Sequence, residues 1–254
     1  MNPMNALLSL CAVGFFARLS YALARSPVLP LFALHLGAGP EAIGWVVGIS
    51  TVTGIFFKLP SGALSDIIGR RKTMLAGLVV FALTPFSYFW VKDAGLLLVI
   101  RFLHGFATAI YGPVAMAVVA DVAGSRKGEM LSWFSSFTII GNLLGAPLGG
   151  YLLFTLSRSG APSLENFHWV YLSSGIAGCL SLLLGATLLR DRDASVTNVG
   201  LKASLQRFFS GIREVVSDRR VVLTSNMEGL QNMTMGALEA FLPIYAVTVA
   251  GLNE

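Results

Sequence analysis

The fold turns on one stretch, Gly62-Ala63-Leu64-Ser65-Asp66-Ile67-Ile68-Gly69-Arg70-Arg71-Lys72. It closes one long apolar run and opens another. Gly62 lets a helix end approach a neighbour, and Gly69 permits a tight turn. Asp66 is placed to accept hydrogen bonds from a helix N-terminus or to pair with an arginine. The three consecutive cations Arg70, Arg71 and Lys72 anchor the loop at a membrane face. Two apolar runs of about 20 residues joined by so short a link make a hairpin of membrane-spanning helices.

Moving outward from this loop, seven stretches are long and apolar enough to span, near residues 6–36, 42–64, 73–91, 96–119, 130–154, 168–189 and 221–250. Pro30, Pro60, Pro113, Pro147 and Pro243 lie inside them without vetoing helix, because neighbouring helices satisfy the freed carbonyls. Composition agrees: 55% of the 254 residues are hydrophobic and 12% charged, against about 25% charged in soluble domains. Mean hydropathy is +0.73. There is too little polar surface to wrap a water-soluble globule of this size. The net charge of +5 does not mark a nucleic-acid partner, since the basic residues sit in loops rather than on one phosphate-binding face. Cys11 and Cys179 both fall in apolar stretches and form no disulfide framework. The first apolar run is too long for a signal peptide and lacks a small-residue cleavage site, so it is expected to be retained.

The basic residues also orient the chain. With the N-terminus inside, the cytoplasmic segments hold Arg70, Arg71, Lys72, Arg126, Lys127, Arg190, Arg192, Lys202, Arg207, Arg213, Arg219 and Arg220. The outer segments hold only Lys92 and Arg158, and twelve against two decides the topology. The short loops suggest a bacterial cell (inner) membrane. The longest loop, 191–220, includes an amphipathic pattern in which Leu201, Leu205, Phe208, Phe209, Ile212, Val215 and Val216 share a helical face, as in a helix lying on the membrane surface. An ordinary linker helix is the alternative.

An internal repeat divides the chain. Leu29-Pro30-Leu31-Phe32-Ala33-Leu34 in the first span matches Leu242-Pro243-Ile244-Tyr245-Ala246-Val247 in the seventh, and at the same offset of 213 residues Glu41 aligns with Glu254. The match falls where a six-helix unit would begin again, as in transporters built from repeated halves. The expected architecture is therefore an all-α integral membrane protein with a six-helix bundle over 1–190, a cytoplasmic linker over 191–220, and a seventh helix over 221–254 that starts an incomplete second bundle.

The loop at 62–72 resembles the signature loop of the major facilitator superfamily at nearly every characteristic position. Two further stretches are similar to motifs of its drug-antiporter branch. Arg101-Phe102-Leu103-His104-Gly105 resembles R-x-x-Q-G, with His104 where glutamine is usual. Gly141-Asn142-Leu143-Leu144-Gly145-Ala146-Pro147-Leu148-Gly149-Gly150 resembles G-x-x-x-G-P-x-x-G-G, with the proline displaced by one. The resemblance covers about 6–254 and implies a twelve-helix transporter of two bundles rocking around a central site. It implies that Gly62, Asp66, Gly69, Arg70 and Arg71 belong to a lock on the inner side and that Arg101 is linked to proton coupling. It implies that Gly141, Gly145, Pro147, Gly149 and Gly150 belong to a packing motif, and glycines spaced by four let helix backbones approach in lipid on physical grounds as well.

A charge at the middle of a span costs about 2.5–3.5 kcal/mol on insertion scales and needs a partner or a water-filled cavity. Arg18, Tyr21 and Arg25 share one face of the first span; Glu228, Asn232 and Glu239 share one face of the seventh. Arg25 and Glu239 fall at similar depth. These stripes are expected to face each other across a cavity and to bind substrate or exchange protons; the alternative is a set of buried pairs holding helices in register. Arg101, with His104 one turn away, is a further candidate. Lys58 is expected to snorkel to the inner interface, and His35 and His168 to be interfacial. Asn232-Met233-Thr234 fits a glycosylation sequon but lies mid-membrane.

The function expected is secondary active transport of a small solute by alternating access, as proton-coupled efflux or exchange. No acid lies deep in the first six spans, so coupling would rest on Glu228 or Glu239, on acids of a missing half, or on something other than protons. The lipid bilayer, a small-molecule substrate and a proton are the expected partners; no cofactor, metal or catalytic residue is implied. Two alternatives stay open, a truncated product unable to transport and a seven-helix receptor. A retinal protein is excluded because its Schiff-base lysine would lie in the last helix, and the final lysine here is Lys202. Paired histidine ligands, G-x-S-x-G and a phosphate-binding loop are all lacking, which argues against a membrane enzyme.

Overall fold

The computed structural model of the chain describes residues 3–155, 162–189 and 217–251, together with Ser210. Among these the structure is helical, with no strand. The helices are α1 (Pro3–Leu23), α2 (Val28–His35), α3 (Pro40–Ile68), α4 (Arg70–Ser87), α5 (Ala94–Ala123), α6 (Lys127–Thr155), α7 (Leu164–Leu188) and α8 (Arg219–Thr248). The surface helix expected within 191–220 lies outside the described residues.

Five helical stretches are long and apolar enough to cross a membrane, and one of them, Ala94–Thr155, comprises both α5 and α6. α8 is not among them. It is long enough at 30 residues, but Asn226, Glu228, Gln231, Asn232 and Glu239 dilute its apolar surface. That composition suits a helix surrounded by protein or facing a polar cavity rather than lipid.

The helices run further than the apolar stretches alone suggest. α3, α5 and α6 hold 29, 30 and 29 residues, about 44 Å each at 1.5 Å per residue, beyond a hydrocarbon core of about 30 Å. A single residue, Gly69, separates α3 from α4, and its φ of +103° is open to glycine but strained for other residues. α5 starts on Asp93, whose Oδ1 accepts from the Leu96 amide at 2.9 Å.

The first expected span is two helices. α1 stops at Leu23 and α2 resumes at Val28, with Ala24–Pro27 as a turn between them. Pro27 has no amide proton to continue the α1 ladder, and it biases Ser26 away from helical geometry. Irregular backbone at this depth is tolerated where it is buried in protein or lines a cavity.

α3 packs along α5, α5 and α7 pack along α4, and α1 packs along α6 and α7. Two apolar clusters fill the interior. The one around Leu10, Met74, Phe81 and Val114 lies toward the end carrying the Gly69 corner. The other, around Val28, Phe32, Ile43 and Phe167, lies toward the opposite end. Along each helix a polar layer falls between them, with Ser20, Ser50, Arg101, His104 and Ser174 all buried. Large apolar residues such as Phe56, Leu83, Leu103, Leu143 and Leu183 are exposed on the outer surface, where lipid is their natural solvent. α8 lies against α2 and α3, and among its described residues Ala240 alone is in the core cluster, with Ile244 and Val247 packed against it.

Candidate functional site

A cleft of about 850 Å³ opens among α1, α3, α5 and α6. α1 contributes Arg18 and Tyr21 to it, and the turn that follows contributes Arg25. α3 contributes Ser50, Thr51, Gly54 and Lys58, again a helical stripe. Hydroxyls come from Thr108 and Tyr111 of α5 and from Ser135 and Thr138 of α6. Lys58, expected near the inner interface, is exposed. It lines the cleft with its stem folded over Gly54, whose missing Cβ leaves room for Lys58 Cε.

Arg25 sits in the turn between α1 and α2, and its Nη2 lies 2.5 Å from Glu239 Oε2 of α8. Both side chains are about one-third exposed, while Arg25 Nε and Glu239 Oε2 themselves are buried. The side chain of Glu228 lies outside the described structure. Asn232 is exposed on α8.

Arg101 lies behind the wall of the cleft and is fully buried. Its Nη2 donates to Ser50 Oγ at 2.9 Å and to the Tyr21 hydroxyl at 3.4 Å. The guanidinium also lies over the Tyr21 ring, 5.4 Å from its centroid, an arrangement that stabilises a desolvated cation. Its Nε and Nη1 have no acceptor. His104 lies one turn on along α5. Its Nδ1 is 3.1 Å from the Tyr88 hydroxyl, and its ring meets Tyr21 edge-on at 5.0 Å. Tyr21 thus joins the two, touching His104 and Arg101 with one ring while facing the cleft.

The Gly69 corner forms a separate polar centre. Arg70 bridges two carboxylates, with Nη1 2.8 Å from Asp66 Oδ1 and Nε 3.1 Å from Asp121 Oδ2. Its Nη1 also donates to Ser65 Oγ at 2.8 Å. Arg71 reaches the end of α7, donating from Nη2 to the Ala186 carbonyl at 2.9 Å and from Nε to the Leu189 carbonyl. A cation is favoured there because the last carbonyls of a helix lack intrahelical partners. Asp66 therefore pairs with an arginine of its own loop, tying α3 to α4 and, through Asp121, to α5. Nearby, Arg126 donates to both oxygens of Glu129, and this holds the exposed Glu129 carboxyl below its ordinary range.

The glycines of α6 lie against α1. A Cβ on Gly141 would fall 2.5 Å from the Phe15 carbonyl oxygen, one on Gly149 3.0 Å from that of Leu23, and one on Gly145 would overlap Ala22. Gly150 approaches Pro27. Pro147 takes no part in this contact and is exposed, since it falls between the i, i+4, i+8 glycines on another face of the helix.

Ser50, Tyr111 and the α6 hydroxyls were not singled out from the sequence. The signal for two of them was present. Arg101, His104, Thr108 and Tyr111 repeat at i, i+3, i+7 and i+10, a polar stripe along one face of an otherwise apolar helix. Ser50, Gly54 and Lys58 repeat at i, i+4 and i+8.

Comparison with known proteins matches this architecture. The sequence profile of the Major Facilitator Superfamily matches residues 10–254. An uncharacterized MFS-type transporter, EfpA of Mycobacterium tuberculosis, is 26% identical over 165 residues, covering 64% of this chain and 29% of its own length. The uncharacterized MFS-type transporter MJ1560 of Methanocaldococcus jannaschii is 28% identical over 57% of this chain and 35% of its own length. The quinolone resistance protein NorA of Staphylococcus aureus is 23% identical over 68% of this chain and 42% of its own length. The chain thus spans less than half the length of these relatives. The inward-open structure of the xylose transporter XylE from E. coli superposes with a TM-score of 0.59 at 16% identity, over 85% of this chain and 57% of that one. The chain is a multi-pass membrane protein that belongs to the Major Facilitator Superfamily.

Proposed function

We propose that the cleft among α1, α3, α5 and α6 is one wall of a solute pathway. The chain moves a small molecule across the membrane by alternating access, as proton-coupled efflux or exchange. One observation carries this: the cleft has a cationic and hydroxylated wall, and α8 is joined to it by the Arg25–Glu239 pair, about one-third exposed. Charged side chains facing a cleft inside an apolar bundle are costly and mark a pathway or binding site. Residues 1–190 form the first bundle in this scheme, 191–220 the linker, and 221–254 the start of the second. The N-terminus and the Gly69 corner face the cytoplasm of a cell whose inner membrane holds the protein.

Glu239 is the coupling acid of this scheme. Ionised, it holds α8 against the α1–α2 turn through Arg25; protonated, it loses the Coulomb attraction and releases α8. The Asp66–Arg70–Asp121 bridge steadies the inner end while this happens. Arg101 sets the position of Tyr21 and Ser50 on the wall. The experiment is reconstitution of the protein into liposomes with an internal pH dye and an imposed proton gradient. A quinolone is the first solute because of the relative named for resistance to it. Solute addition is expected to dissipate the gradient in a saturable way, and Glu239→Gln to abolish the proton movement. Solute flux that is identical with and without the gradient would remove proton coupling from the scheme.

A further inference from the structure

The cleft is unbalanced in charge. Arg18, Arg25 and Lys58 line it, and no Asp or Glu does. Arg25 is compensated by Glu239 from outside the lining. Among the described residues Arg18 and Lys58 have no carboxylate within ion-pair distance. Behind the wall Arg101 adds a fourth cation, wholly buried, with two of its nitrogens lacking an acceptor. The other polar lining groups, such as Ser50, Tyr111 and Thr138, are hydroxyls, which donate to an anion as well as they accept. The Tyr111 hydroxyl is itself buried without a partner. Apolar side chains of Ile55, Phe134 and Ile139 complete the surface. Uncompensated cations at mid-span are costly, and a guanidinium is matched in geometry by a carboxylate, sulfonate or phosphate.

We infer that this wall binds the anionic group of an amphipathic organic solute, with Arg18 as the main ligand and Arg25 recruited from Glu239. The inference rests on the transport function proposed above and names its substrate class. The ring or chain of the solute lies on Phe134 and Ile139, and Lys58 adds a cation within the same cleft. Glu239 and the solute compete for Arg25, so an arriving anion loosens the same contact that holds α8.

The test uses three probes of one shape and different charge: naphthalene-2-carboxylate, naphthalene-2-carboxamide and naphthalen-2-ylmethylammonium. Binding to the purified protein is measured by equilibrium dialysis, and flux of the same probes is measured in proteoliposomes. The carboxylate is expected to bind about tenfold tighter than the amide, the worth of one charge-assisted contact, and the ammonium more weakly than either. Arg18→Gln is expected to erase the preference and Arg18→Lys to keep part of it, while Lys58→Gln, at an exposed position, weakens it. Glu239→Gln is expected to tighten carboxylate binding several-fold by freeing Arg25, which a merely structural role for Glu239 would not do. Equal binding of all three probes, preference for the ammonium, or no binding of the carboxylate overturns the inference. Preferential carboxylate binding without flux of any probe supports the anion site while overturning the transport function. Saturable flux of the amide or ammonium, with no carboxylate preference, does the reverse.

Discussion

The Gly69 corner and the cleft treat their charges in opposite ways. At the corner Arg70 lies between Asp66 and Asp121, and Arg71 sits on the carbonyl end of α7. Each of these cations has its partner within the bundle. In the cleft Arg18 and Lys58 have no carboxylate partner among the described residues, Arg25 takes one from α8, and Arg101 leaves two nitrogens without an acceptor. The corner pairs its cations within these residues, whereas among the described residues the cleft carries more cations than carboxylates. This contrast separates charges that hold the fold from charges available to a ligand, although both sets lie in one bundle and carry the same residue types.

The sharpest way to break the contrast is Arg101→Ala. It removes the donor to Ser50 and Tyr21 from a fully buried site and should lower transport about a hundredfold, the usual effect of truncating a buried charged hydrogen-bonding partner. Saturable flux at the original rate would place Arg101 with the structural charges. Next in size, Glu239→Gln should uncouple solute flux from the proton gradient while shifting stability by no more than about 1 kcal/mol, because the pair it breaks is one-third exposed. Thermal unfolding in detergent, run beside the flux assay, separates the two effects. Arg70→Ala should act the other way round. It breaks bridges to two half-exposed carboxylates and should cost about 1 kcal/mol of stability with unchanged affinity for any cleft ligand. The smallest effect belongs to Arg126→Ala. Glu129 has its carboxyl lowered by Arg126, so whatever the pair contributes is present above the ordinary carboxylate pKa and is lost only as pH falls through the lowered value. Both groups are exposed, and melting temperatures of the variant and parent should coincide at pH 7.

Much of this contrast could be read from residue order, and the rest depended on packing. Gly69 followed by three cations already marked a corner, since a turn this tight needs a residue free at positive φ. The meeting of Arg25 with Glu239 followed from counting depth along two spans. The break at Ala24–Pro27 was missed because the first span was read as one continuous helix with Pro30 inside it, and only the turn shows that Arg25 sits where the helix stops. That Lys58 also lines the cleft was not legible from its place near a helix end. The room over Gly54 that lets it turn into the cleft is a property of local shape. Partners such as Asp121 for Arg70 and Ser50 for Arg101 lie about 50 positions away in the chain, and no periodicity within one helix reveals them. Pro147 was grouped with its neighbouring glycines by motif, whereas the helical angle places it on a different face.

The central claim is that the cleft opens to each side of the membrane in turn. Its most direct test is solvent access at Thr51 and Thr138, two cleft residues on different helices. Each is changed to cysteine in a background with Cys11→Ser and Cys179→Ser, then exposed to a membrane-impermeant maleimide in right-side-out and in inside-out vesicles. Alternating access predicts labelling from both sides, with a proton gradient shifting the balance between them. Labelling from one side only, unaffected by the gradient, would make the cleft a fixed vestibule and contradict the account.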